Sequence, residues 1–148
     1  MAGDSTPQLR ILHLTAGSDA GGVSRYLHDL CTAMHARGHE VTIAGERGAW
    51  HDLFASAPWP WIELPFKGGL FSLSRCERAL REHLRQHPVD VIHVHYRRPA
   101  LVARRITRDL GNSRIPILFT LHLTELSLRG WNRWLSDFGD HTHVASRE

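Results

Sequence analysis

Apolar residues recur along this chain with two alternating periods. Ile11–Thr15 shows the two-residue period of a strand, with Ile11, His13 and Thr15 on one face and Leu12 and Leu14 on the other. A glycine-bearing loop, 17–22, follows. Val23, Tyr26, Leu27, Leu30, Cys31 and Met34 then recur at helical spacing. Gly38 is placed to end that helix, because glycine accepts the left-handed conformation after a last turn. Further strands are predicted over 39–44, 61–66, 89–95, 115–121 and 141–145. Helices are predicted over 73–86, from Pro99 to Gly111 and over 131–138, with one helical turn around 51–56. Pro65 cannot donate to a ladder, so the third strand is short or at an edge. The runs at 89–95 and 115–121 are almost continuously apolar, as in parallel strands buried on both faces.

Strands alternating with helices imply an α/β fold, a Rossmann-like doubly wound parallel sheet with helices on both faces. Right-handed crossovers favour the strand order 3-2-1-4-5-6. Ligands of such sheets sit beyond the carboxyl ends of the strands. That rule selects loop 17–22, the segment His95–Arg98, and His122 with Leu123 and Thr124. Residues 1–8 are expected to be a flexible lead-in and 9–148 a single domain. Ser146-Arg147-Glu148 has the pattern of a helix cap with its acid in the first turn, and no helix follows. The sequence therefore reads as a cut chain.

Composition narrows the class. The chain has 148 residues, 42% hydrophobic and 22% charged, which suits one globular domain with a real core. No apolar run approaches the roughly 20 residues that span a bilayer. Cys31 and Cys76 lie on the inward stripes of helices and read as buried free thiols. The net charge of +3 admits an anionic substrate or an anionic membrane surface but is too small and dispersed to argue for nucleic acid. Arg78, Arg81 and Arg85 form one basic stripe, and Arg104, Arg105 and Arg108 another. An ordinary solvated face explains both, and docking to lipid headgroups is the sharper reading.

The strand–loop–helix at 11–38 brings backbone N–H groups and the positive end of a helix dipole to one place, which suits an anion. A βα turn packed tightly by its glycines is the plainer reading. The spacing is not G-x-G-x-x-G and no Gly-Lys-Ser/Thr follows, so neither a dinucleotide fingerprint nor a P-loop is present. Glu46 stands where a ribose-binding acid would, but the missing fingerprint counts against that role. His93 with His95, and His141 with His143, each share one strand face at i, i+2. No cysteine or carboxylate cluster completes either pair, so no metal ligand set is assigned. His93 reads as a buried, hydrogen-bonded strand residue. Arg97 and Arg98 suit a phosphate or carboxylate, or a solvated loop end.

These pieces together resemble the N-terminal domain of GT-B glycosyltransferases, specifically the large retaining family 4. The matching stretches are ILHLTAGSDAGGVSRYLHDLCTAMHARGHEVTIAG, VDVIHVHYRRPALVARRI, IPILFTLH and DHTHVASRE, in the right order and at the right distances. The resemblance implies a two-domain enzyme that moves a sugar from a nucleotide-sugar donor to a glycan or lipid-linked acceptor, without a cofactor or metal. It implies that Gly21 and Gly22 approach the donor diphosphate, that His122 lies at the reaction centre, and that His95, Arg97 and Arg98 line the cleft. Thr124, just beyond His122, is a further candidate at that edge. It also implies a C-terminal donor-binding domain, absent here, without which this part is expected to be inactive. A cytoplasmic location, with peripheral contact to the inner face of the membrane, goes with that reading. The alternative is a non-catalytic Rossmann-like binding module or partner subunit.

Overall fold

A computed structural model describes residues 7–109, 115–122 and 138–144. The strands are β1 (Arg10–Gly17), β2 (Glu40–Glu46), β3 (Trp61–Glu63), β4 (Val91–Val94), β5 (Ile117–Leu121) and β6 (His141–Val144). The helices are α1 (Gly22–Ala36), α2 (His51–Ala55), α3 (Leu70–Gln86) and α4 (Arg97–Asp109). All six strands are parallel, in the order β3-β2-β1-β4-β5-β6. This is the doubly wound order that the alternation of elements implied.

The switch in direction beside β1 puts helices on both faces. On one face Leu27 and Cys31 of α1 and Phe54 of α2 pack with Val41, Ile43 and Trp59. On the other, Leu73, Cys76, Leu80 and Leu84 of α3 and Val102, Ala103 and Ile106 of α4 cover Leu12, Leu14, Ile92, Val94, Ile117 and Phe119. The central strands are therefore buried whichever way a side chain points, and their apolar runs follow from that.

Several boundaries move. β3 stops at Glu63, because Pro65 ends the ladder, although Leu64 and Phe66 remain buried. α3 begins at Leu70, earlier than the inward stripe from Leu73 suggested, and leaves Leu70 and Phe71 80% and 91% exposed. α1 stops as expected, with Gly38 at φ 87° donating its N–H to the carbonyl of His35. Cys31 and Cys76 are buried and free, and burial raises both thiols, Cys76 to about 11. The helix expected over 131–138 falls almost wholly outside the described residues, as does Gly111.

The sheet edge at β6 carries a largely buried ion pair. Arg104 of α4 donates to Asp140 Oδ1 at 3.1 Å, and the Ile117 N–H donates to Oδ2 at 2.9 Å. The two charged side chains are only 15% and 17% exposed. Gly139 precedes it at φ 71°, where a Cβ would stand 2.5 Å from the Ile117 carbonyl oxygen. Removing the carboxylate while leaving the guanidinium buried is expected to be costly. Asp140→Ala should lower unfolding stability by about 3–5 kcal/mol. Urea titration reads this, and a loss near zero would show that the pair contributes nothing to closing the sheet.

Candidate functional site

The carboxyl end of β1 opens into loop 17–22, which is fastened from beneath. The buried Ser18 donates its N–H to the Glu46 carbonyl at 3.0 Å, and its hydroxyl accepts the Gly48 N–H at 2.9 Å. Its carbonyl accepts the Trp50 N–H at 2.8 Å. Gly48 allows this closeness, since a Cβ there would meet Asp19 Oδ1 at 2.6 Å. Asp19 in turn pairs with Lys67. Gly48 and Lys67 escaped the sequence reading, because only the folded loops bring them to loop 17–22.

Gly21 and Gly22 stand exposed at the start of α1, with open space where a side chain would project. No side chain caps this helix and its first turn holds no acid. The first N–H groups of α1 and the positive end of its dipole are thus left for an anion. Glu46 accepts the Lys67 backbone N–H at 2.9 Å, which ties the loop after β3 to the end of β2.

His122 follows directly on β5 and is half-buried. Tyr26, one turn into α1, meets its ring edge-on at 4.9 Å. That contact places the helix start and His122 at one corner of the sheet. Behind His122 lies a column of imidazoles. His122 Nε2 is 3.2 Å from His95 Nδ1, and His95 Nε2 is 3.2 Å from His13 Nδ1. His93, beside His13 in register, makes a 2.6 Å hydrogen bond with Thr120 Oγ1 through Nε2. His13, His93 and His95 are 0%, 3% and 2% exposed.

Two expectations change here. His95, expected to line the cleft, is instead buried beneath the edge, under His122 and the Tyr26 ring. The pair His93 and His95 does gain a third imidazole, from His13, and suitable ring nitrogens of the three lie within 4.8 Å of one another. Sequence distance hid this partner. A metal needs one lone pair from each ligand, yet both nitrogens of His95 already face other imidazoles, and His93 Nε2 holds Thr120. The set therefore suits a hydrogen-bonded chain better than a cation.

Arg97 and Arg98 open α4 at the same sheet end, with Pro99 in its first turn. Arg98 is exposed and donates to the Phe66 carbonyl at 3.1 Å, so part of its guanidinium braces the loop after β3. Thr124 lies outside the described residues. At the opposite sheet end a cavity of about 650 Å³ is lined by residues including His35, His39, His83 and His87. α1 and α3 present their carboxyl ends there, so its field repels an anion. Four arginines of the two basic stripes are paired, in Arg81–Asp109, Arg105–Glu77, Arg85–Glu82 and Arg104–Asp140.

A family model described as Glycosyltransferase Family 4 matches residues 20–148. Among solved structures, MurG of Acinetobacter baumannii superposes with a TM-score of 0.68 at 18% identity, covering 96% of this chain and 42% of that one. Sucrose-phosphate synthase from Thermosynechococcus elongatus gives a TM-score of 0.57 at 14% identity, covering 91% of this chain and 47% of that one. This chain thus spans less than half the length of either, and at these identities the likeness concerns the fold. No curated protein matches it. Among the described residues no helix is long and apolar enough to cross a membrane.

Burial sets the protonation of the column. It pushes His13 and His95 well below the ordinary histidine value of 6.5 and His93 to about 4, with neighbouring imidazoles adding to the shift. His122 is lowered by the same two causes. In the unfolded chain these rings take up protons near pH 6.5, while in the folded chain they stay neutral. Stability is then intact above that pH and falls as pH drops from 6.5 towards 4. Each buried ring should contribute a slope of about 1.4 kcal/mol per pH unit. Urea midpoints across this range give the slope; a flat profile would mean that the rings are not held neutral.

Proposed function

The chain belongs to glycosyltransferase family 4, and on that premise we propose that it forms the acceptor-side domain of a retaining sugar transferase. The donor is a nucleotide-sugar and the acceptor a glycan or a lipid-linked glycan. The observation that supports this reading best is the corner where Tyr26 joins the uncapped start of α1 to His122. Cleaving the bond to a nucleoside diphosphate builds negative charge on the leaving oxygen. Free N–H groups at a helix start stabilise such charge where it develops, taking the part that a divalent cation plays elsewhere. His122 is positioned to hydrogen-bond the transferred sugar, and Arg97 and Arg98 stand at the same edge for an anionic acceptor group.

In this reading a second, donor-binding domain supplies the nucleotide contacts, and these 148 residues bind without turning over when alone. The test uses the protein in its natural full length. His122→Ala should lower kcat/KM by about 100-fold or more while leaving the melting temperature near that of the parent. Transfer at the parental rate would remove His122 from the reaction centre.

We also place the protein at the cytoplasmic face of a membrane, where a lipid-linked acceptor would be met. The supporting feature is the start of α3. Leu70 and Phe71 are almost fully exposed, and Arg75 and Arg78 follow Phe71 at i+4 and i+7 on the exposed side. An apolar wedge with cations behind it suits an anionic bilayer surface. Flotation with vesicles containing anionic lipid should carry the parent, and Leu70→Ser with Phe71→Ser should abolish it. Undiminished flotation of the double variant would move the contact elsewhere.

A further inference from the structure

We infer that His95, backed by His13, holds His122 in its Nδ1–H tautomer, so that His122 meets its ligand as a hydrogen-bond donor. The argument is a count of protons. A neutral imidazole carries one N–H and one lone pair. His95 touches an imidazole nitrogen on each side, so it donates one of these hydrogen bonds and accepts the other. The chain His13–His95–His122 can therefore run in only two directions.

In the inward direction His122 donates through Nε2, His95 donates through its own Nε2, and His13 is left with its proton on Nε2. That atom is buried and has no hydrogen-bond partner among the described residues. An N–H would then be orphaned in the middle of the sheet. In the outward direction His13 donates through Nδ1 to His95, and His95 donates through Nδ1 to His122 Nε2. The orphan at His13 Nε2 is then a bare lone pair. Buried N–H groups without acceptors are rarer than unsatisfied acceptors, so the outward direction is favoured. His93 obeys the same rule: its orphaned Nδ1 is the lone pair, and its Nε2–H donates to Thr120. Protonating any ring of the column would put a charge among the others with no carboxylate hydrogen-bonded to it.

His122 thus accepts at Nε2 and carries its proton on Nδ1. For that nitrogen to act as a base the whole column would have to reverse and bury an unpaired N–H. The ligand group it selects is an oxygen acceptor, such as a sugar hydroxyl or a phosphoryl oxygen; that last step rests on the proposed glycosyl transfer. His95 and His13 are positioning residues, and neither touches the ligand.

The tautomer is read from long-range ¹H–¹⁵N correlation spectra of this chain with ¹⁵N-labelled histidine rings, with His122 assigned by the signals lost in His122→Gln. The expected pattern is a protonated Nδ1 and a bare Nε2 at His122, against the Nε2–H form that histidine favours in water. A protonated Nε2 at His122 overturns the proposal. So does a bare lone pair on both His13 Nδ1 and His95 Nε2 with stoichiometric zinc in the purified protein, which would make the cluster a metal site. His95→Phe should release His122 towards the Nε2–H form, and His13→Leu should give a mixture; a folded variant with His122 unchanged removes that residue's part. The spectra need no substrate, so their failure leaves the transfer reaction standing, and failed transfer leaves the tautomer standing.

Discussion

A parallel sheet covered on both faces shuts its centre off from bulk solvent, and this one buries three histidines there. His13 and His93 sit side by side on β1 and β4, and His95 follows immediately after β4. A buried imidazolium without a carboxylate is too costly, so the rings remain neutral and must satisfy one another. The hydrogen bonds that do so run along the strands towards their carboxyl ends and stop at His122. The demands of burial at the centre thereby determine which nitrogen is left at the edge. Structure and chemistry meet along one line of three residues, His13, His95 and His122.

That edge is also where the backbone supplies positive potential. α1 starts there without a side-chain cap, and Gly21 and Gly22 leave its N–H groups uncovered. Ser18, Gly48 and the Asp19–Lys67 pair hold the loop from below and leave its upper side open. The far end of the sheet has a hollow of about 650 Å³, yet two helices point their negative ends into it. Helix-dipole direction favours an anion at the end where α1 begins, which is why the candidate site is placed there.

The arginine stripes show how charge in a sequence differs from charge on a surface. Their helical spacing correctly marks the outer faces of α3 and α4. What spacing cannot show is that these helices lie together, so that Arg81 meets Asp109 and Arg105 meets Glu77. The apolar pair at the start of α3 was missed for the converse reason. Leu70 and Phe71 look like core residues until the packing of Leu73, Cys76, Leu80 and Leu84 turns them outward.

By itself the sequence determined the alternation of strands and helices, the parallel doubly wound order and the stop at Gly38, and it pointed to the sheet edge proposed for the site. These follow from local periods and from the handedness of βαβ crossovers, both of which act within neighbouring segments. It also marked His122, by its place directly after a buried strand. Only the tertiary structure decided that His95 is buried beneath that residue, that His13 joins it from 82 positions away, and that Arg98 braces a loop. Hydrogen bonds between strands depend on register, and register brings together residues that no local pattern connects.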